Sequence, residues 1–283
     1  MILFPNAKIN LGLRILNRRP DGYHNISSIF LPVGWRDVIE MVPSQSGVTT
    51  LTQSGPKAVD CPQEKNLVMK ALRALENELA APLPPTDIYL RKNIPSGAGL
   101  GGGSSDAAFA IIGANKLYNL GLTDEQMASV AAKVGADCPF FIFNRPMLVS
   151  GTGHILEPVE MPVLKEKSVL IAKGSDSSVS TAEAYAGVHP APLPDGRSLL
   201  EATRNLSCDL LVNDFEASIF PSHPDIESLK AQIMAFGALY TAMTGSGASV
   251  FGIFESAKMA EEAAMTLNNC DTFVGDLPFI PQS

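Results

Sequence analysis

From Asn6 the chain reads NAKINLGLRIL, in which Lys8 and Asn10 alternate with Ile9, Leu11, Leu13 and Ile15. A period of two sends successive side chains to opposite faces, so this segment predicts a half-buried strand whose polar face presents Lys8 and Asn10 together. Pro20, Asp21 and Gly22 are turn residues, and residues 26–33, 37–42 and 49–52 predict further strands. The chain is therefore expected to begin as an antiparallel, β-rich region.

Asn66 precedes Val68, Leu72, Leu75 and Leu79, apolar positions at helical spacing, and is placed to cap that helix, which Pro82, Pro84 and Pro85 stop. A strand over 87–91 follows. Ser104 or Ser105 is expected to cap an alanine- and isoleucine-rich helix reaching Leu117, and Thr123 with Gln126 forms the capping box of a helix ending at Gly135. Beyond Pro158 come a strand at 168–172, a loop rich in Ser, Pro and Gly, and a helix carrying Ile226, Leu229 and Ile233. Strands at 239–244 and 249–254, a helix from Ser256 with Met259, Ala263 and Leu267, and a strand near 271–274 complete the pattern. This order predicts an α+β fold of two domains, 1–155 and 156–283, the second ferredoxin-like.

Composition narrows the function classes. The 283 residues, 46% hydrophobic and 18% charged, with mean hydropathy +0.13, supply enough apolar surface to offset the entropy of a compact chain. Lys plus Arg number 21 against 29 Asp plus Glu, a net charge of -8. That balance gives no broad positive field, so nucleic acid is not an expected partner. Cys61, Cys138, Cys208 and Cys270 are widely spaced with no metal-ligand pattern, which predicts free thiols in a reducing compartment and no protein metal site. The opening MILFPNAKINL carries no basic leader, and no apolar run nears the ~20 residues of a membrane span. A cytoplasmic location without membrane contact is expected.

The densest chemical signal is IPSGAGLGGGSSDAA at 94–108, where Gly97, Gly99, Gly101, Gly102 and Gly103 separate a strand from a helix. Glycines let backbone N–H groups approach a ligand at positive φ, and the helix start favours an anion, so a phosphate cradle is predicted. Ser104 and Ser105 add hydroxyls able to bind phosphate oxygens or a hydrated magnesium ion, or simply to cap the helix. The segment lacks the Gly-Lys-Ser/Thr ending of a Walker loop. Its GxGxxG match follows an alternating strand rather than a buried parallel one, which argues against a dinucleotide fold.

A second glycine turn, MTGSGASVF at 243–251, is a hairpin by itself and can also bring Gly245, Ser246 and Gly247 against the first loop. Phosphoryl transfer needs a group that orients or deprotonates the accepting hydroxyl. Asp137, in GADCPFF, is a candidate as well as an ordinary turn residue, and Lys8 nearby would keep its carboxylate ionised. Tyr23 and His24 follow the Pro-Asp-Gly turn and can stack on and hydrogen-bond a base, or pack as a core Tyr and a surface His.

Three segments, NAKINLGLRILNRRPDGYHNISSIF, IPSGAGLGGGSSDAA and MTGSGASVFGIF, resemble the three motifs of the GHMP kinases. The first two are most similar to the branch acting on a cytidine-diphosphate-linked methylerythritol in the non-mevalonate route to isoprenoid precursors. The resemblance implies the two-domain GHMP fold, with an N-terminal β-rich domain like ribosomal protein S5, a ferredoxin-like C-terminal sandwich and an active site in the cleft between them. It implies ATP and Mg²⁺, with phosphorylation of the 2-hydroxyl of the methylerythritol unit, Asp137 as base and Lys8 holding that hydroxyl. It places Asn66 near adenine, and Pro95, Gly97, Ala98, Gly99, Leu100, Gly101, Gly102, Gly103, Ser104 and Ser105 on the triphosphate. Asn10, Tyr23, His24 and Tyr185 fall on the cytidine pocket, and Thr244, Gly245, Ser246 and Gly247 beside the phosphates and acceptor. His154 stands where an acidic residue is expected by analogy and receives no role. A monomer or weak homodimer is expected. Mevalonate, homoserine or sugar kinases of the same superfamily, and a nucleotide sensor without turnover, remain the alternatives.

Overall fold

The computed structural model describes residues 1–193, 199–204, 206 and 210–279. Its strands are β1 (Ile2–Leu3), β2 (Asn6–Arg18), β3 (His24–Arg36), β4 (Val38–Pro43), β5 (Thr50–Ser54), β6 (Thr86–Arg91), β7 (Met147–Gly151), β8 (Ile155–Pro158), β9 (Lys167–Gly174), β10 (Tyr240–Met243), β11 (Val250–Phe254) and β12 (Cys270–Leu277). The helices are α1 (Leu67–Leu79), α2 (Gly102–Leu117), α3 (Asp124–Ala132), α4 (Cys138–Phe143), α5 (Thr181–Ala186), α6 (Leu199–Thr203), α7 (Phe215–Ile219), α8 (Pro224–Ala235) and α9 (Ala257–Thr266). Contacts divide the chain into two compact units, one of Met1–Ala7, Trp35–Ser96 and Gly101–Arg145, the other of Lys8–Gly34, Gly97–Leu100 and Pro146–Ser283.

In the first unit the sheet order is β1-β4-β6-β5. Ile39, Met41, Leu51, Ile88 and Leu90 are buried on one face, and α2 lies close upon it. A Cβ on Gly113 would come 2.5 Å from Met41 Sδ, so only glycine allows that approach. The β-rich start was expected to be antiparallel, yet β5 pairs parallel with β6. The connection between them contains α1, and a helical crossover returns the chain in the direction it left.

Local capping follows the sequence. Asn66 Oδ1 accepts the Val68 N–H at 2.9 Å, and α1 closes at Ala80 in a left-handed conformation, ahead of the prolines. Thr123 and Gln126 complete both bonds of a capping box, although α3 stops at Ala132, before Gly135. The expected serine cap of α2 is corrected: Gly101 occupies that position at φ 70° without a side-chain bond. Ser104 and Ser105 lie inside the first turn, where the Ser105 N–H already donates to Gly101 O at 2.9 Å. Sequence periodicity also missed α4, a six-residue turn of CPFFIF too short to show a repeat.

In the second unit one sheet is ordered β2-β3-β7-β8 and the other β10-β11-β9-β12. In the latter every pairing is antiparallel, with α8 between β9 and β10 and α9 between β11 and β12. This is the split β-α-β-β-α-β arrangement expected of a ferredoxin-like sandwich. The stretch expected as a Ser/Pro/Gly loop instead carries the short helices α5, α6 and α7 among its described residues. Among the described residues no helix is long and apolar enough to cross a membrane.

Candidate active site

The polar side of β2 is not solvated. Lys8 is 3% exposed and Asn10 1%, which corrects the half-buried strand read from their alternation. Lys8 Nζ donates to Asn10 Oδ1 at 2.6 Å and lies 4.8 Å from the centre of the Phe30 ring. The same Oδ1 accepts from Thr244 Oγ1 at 3.1 Å and from the Gly245 N–H at 2.9 Å. Asn10 Nδ2 donates to Ser28 Oγ at 3.0 Å, whose hydroxyl donates to Gly12 O at 2.6 Å. Satisfied polar groups can be buried, and this network lets both faces of β2 leave water.

The two glycine turns meet backbone to backbone inside the second unit. Gly99 has φ +73°, and a Cβ there would lie 1.9 Å from Thr244 O; Gly245 has φ +55°, and its Cβ would come 3.0 Å from Gly99 Cα. The Ser249 N–H donates to Ala98 O at 3.2 Å and the Lys8 N–H to Leu100 O at 2.9 Å, so the loop is tied to β2 and to the residue that leads into β11. Around Gly97, at φ +61°, the space is open: a Cβ there would meet nothing within 4 Å. The second turn is also the hairpin of β10 and β11, closed by the Thr244 N–H on Ser249 O at 2.9 Å. Asn213 braces it, donating from Nδ2 to Met243 O at 2.7 Å and Gly245 O at 2.9 Å. Nothing in the local pattern marks Asn213, because its partners lie in a distant hairpin. Ser246 Oγ is 3.4 Å from Thr181 Oγ1.

The first unit holds Asn66, Pro95, Gly101, Gly102, Gly103, Ser104, Ser105 and Asp137. The first N–H groups of α2 have no acceptor within the helix and stand at the positive end of its dipole, an arrangement suited to an anion. A Cβ on Gly103 would come 3.3 Å from Leu67 Cδ1, so the start of α1, and Asn66 with it, adjoins the start of α2. Asp137 immediately precedes Cys138 at the N-terminus of α4. Burial pushes the Cys138 thiol up to about 11, against a hydrogen bond with Ser104 and with the Asp137 charge adding to the rise. The packing of α2 against α4 keeps the α2 start and Asp137 in the same unit.

His24 and Tyr185 come together at the beginning of β3, rings stacked with centroids 5.0 Å apart and planes at 22°. Tyr185 in turn packs edge-on against Phe215 at 4.8 Å. Tyr23 stands apart from this stack, 68% exposed, with its N–H donating to Asp21 Oδ1 at 3.1 Å. His154 folds over Gly151 and its Nδ1 lies 3.0 Å from Thr152 Oγ1, a bond that shapes the β7–β8 turn. Sequence reading also missed a buried ion cluster of Asp37, Lys92 and Asp106. Cys61, Cys138 and Cys270 are free thiols, and Cys208 lies outside the described residues. Among the described residues no three His, Cys, Asp or Glu side chains form a metal-binding group.

Comparison with known proteins adds an independent line. Residues 66–145 match the family model described as GHMP kinases N terminal domain, and residues 194–270 that described as GHMP kinases C terminal. The chain is 47% identical over 278 residues to the 4-diphosphocytidyl-2-C-methyl-D-erythritol kinase of Parabacteroides distasonis, covering 98% of this chain and 100% of that one. To the protein of the same name from Porphyromonas gingivalis it is 40% identical, covering 94% and 96%. A crystal structure of 4-(cytidine 5'-diphospho)-2C-methyl-D-erythritol kinase superposes with a TM-score of 0.80 at 30% identity, covering 97% of this chain and 98% of that one. Mevalonate kinase from Methanococcus jannaschii, at TM-score 0.70 and 15% identity, covering 97% of each chain, shares the fold.

Proposed function

Because the chain belongs to the GHMP kinases and, within them, to the 4-diphosphocytidyl-2-C-methyl-D-erythritol kinases, we propose that it transfers the γ-phosphate of ATP to the 2-hydroxyl of 4-diphosphocytidyl-2-C-methyl-D-erythritol in the non-mevalonate route to isoprenoid precursors. The observation that carries this reading is the packing of α2 against α4, whose first residue follows Asp137, within one compact unit. An anion-binding helix end and a carboxylate side by side are what transfer to an alcohol requires.

In this assignment Gly97, Ala98, Gly99, Leu100, Gly101, Gly102 and Gly103, with Ser104 and Ser105, receive the triphosphate, while Pro95 and Asn66 border the adenosine. Asp137 accepts the proton of the hydroxyl as its oxygen forms a bond to the γ-phosphorus and ADP departs. Lys8, held by Asn10, orients that hydroxyl. His24 and Tyr185 supply the aromatic wall and hydrogen bonding for cytosine, with Tyr23 closing from the solvent side and Asn10, Thr244, Gly245, Ser246 and Gly247 lining the acceptor. Mg²⁺ entering with ATP would supply charge neutralisation on the triphosphate, and the hydroxyls of Ser104 and Ser105 at the start of α2 are the side chains that would reach its hydration shell. We assign residues 1–155 to an ATP-binding domain and 156–283 to its C-terminal partner, with the protein acting in the cytoplasm as a monomer or weak homodimer.

The test couples ADP release to acceptor addition. Turnover with the cytidine-linked methylerythritol alone is expected, and turnover with mevalonate, homoserine or galactose in its place overturns the acceptor. Asp137→Asn is expected to lower kcat by about two to four orders of magnitude with little change in nucleotide affinity. A loss below about tenfold would remove Asp137 as base.

A further inference from the structure

Asp37, in the link between β3 and β4, is fully buried at 0% exposure. Its Oδ1 accepts the N–H groups of Asn93 at 2.6 Å and Ile94 at 2.9 Å, where the chain enters the glycine-rich loop. Its Oδ2 takes the Lys92 ammonium. That same ammonium donates to Asp106 Oδ2 at 2.6 Å, on α2, where the chain has left the loop. Entrance and exit are therefore bound to one cluster. The helix start rests directly upon it, since a Cβ on Gly102 would stand 3.0 Å from Ile94 Cγ2 and 3.4 Å from Lys92 Nζ.

Such a cluster is a poor way to stabilise a core. Burying charges costs desolvation, and apolar replacements of similar volume are often neutral or stabilising. Asp106 Oδ1 is buried with no hydrogen-bond partner, which adds to the cost. What directional ion pairs provide and an apolar contact does not is a fixed separation between two chain segments.

We propose that Asp37, Lys92 and Asp106 form an internal clamp that sets the span of the glycine-rich loop so that its N–H groups match a nucleotide's phosphates. All three are positioning residues and touch no ligand. This rests on the reading that residues 95–105 receive ATP.

The decisive variant is the neutral triple Asp37→Asn, Lys92→Met, Asp106→Leu, in which the Asn side-chain oxygen still accepts from residues 93 and 94 and the volume is kept. Titration calorimetry with ATP and with ADP is expected to show at least a tenfold weaker Kd, while KM for the cytidine-linked acceptor stays within twofold. Amide exchange at 97–101 in the nucleotide-free protein is expected to accelerate. Lys92→Arg, which keeps the charge but changes its reach, serves if the triple variant does not fold, and at least a fivefold weaker ATP Kd is expected with the melting temperature held. A folded variant of either kind that binds ATP with wild-type affinity overturns the clamp alone. Wild-type protein that binds neither nucleotide overturns the loop assignment, and the clamp's purpose with it.

Discussion

Gly99 and Thr244 are in contact through their backbones, close enough that a methyl group on Gly99 would lie 1.9 Å from the Thr244 carbonyl oxygen. Two glycine turns from distant stretches of chain are thereby locked as one piece. The left-handed φ of Gly99, +73°, makes any side chain there costly twice over, through conformation and through collision.

Gly99→Ala is accordingly expected to lose about 2–5 kcal/mol, the sum of about 1–2 for the left-handed backbone and about 1–3 for overpacking. Gly97→Ala has the same conformational penalty with open space around it, so it should lose only about 1–2 kcal/mol. Denaturant midpoints of the two variants measure the difference, and equal losses would show that the contact is loose in solution.

Asn10 joins Lys8, Ser28, Thr244 and Gly245 through one amide. Asn10→Ala takes one acceptor from each of Lys8, Thr244 and Gly245, although Thr244 Oγ1 keeps Gly99 O at 3.3 Å, at about 1–3 kcal/mol for each bond that nothing replaces. A drop in unfolding free energy of about 3 kcal/mol or more is expected by urea titration, with KM for the acceptor raised as Lys8 loses its hold. A variant as stable as wild type would mean that water replaces the amide.

Removing one wall of the aromatic pair tests the base pocket. Tyr185→Leu, or His24→Ala, should weaken cytidine diphosphate binding by about 1–3 kcal/mol, the worth of a base–aromatic stack. ATP affinity should be unchanged. Competition calorimetry reads both, and an equal effect on the two nucleotides would place the pair outside the acceptor site.

Asp106 makes stability depend on pH in a direction opposite to that of a surface carboxylate. Burial pushes its carboxyl up to about 7, opposed by the Lys92 ammonium and reinforced by the Asp37 charge. A raised folded-state value means that the native state holds the proton more tightly, so this contribution is complete below the ordinary aspartate value of 3.8 and is lost as pH rises through about 7. Asp106→Asn cannot lose that proton. Stability of the variant relative to wild type should therefore rise between about pH 4 and about pH 7 and level off above that, and a pH-independent difference in denaturant midpoints would refute the shift.

The cap of α1 separates two roles of Asn66. Asn66→Ala should lose about 1 kcal/mol of stability, and Asn66→Ser should recover most of it by accepting from Val68. If ATP affinity falls equally in both, the amide also meets the nucleotide. If affinity follows stability, capping is its whole function.

Much of this protein was determined by local sequence alone. The Asn66 cap, the Thr123–Gln126 box and the breaks at proline all arise from interactions within a few residues, and the glycine run announces the turns at Gly97, Gly99 and Gly101 because no other residue adopts their φ values cheaply. The family motifs were legible in the same way, because they too are runs of neighbouring residues. Tertiary structure decided the rest. The period of β2 showed which residues share a face but not whether that face meets water, since a polar side chain can be buried once partners such as Thr244, which is 234 residues from Asn10, satisfy it. The Asp37–Lys92–Asp106 cluster, the brace at Asn213 and the short helices α4 to α7 belong to the same class. Their free energy comes from desolvated contacts between segments far apart in the chain, and such contacts exist only after the backbone has brought those segments together.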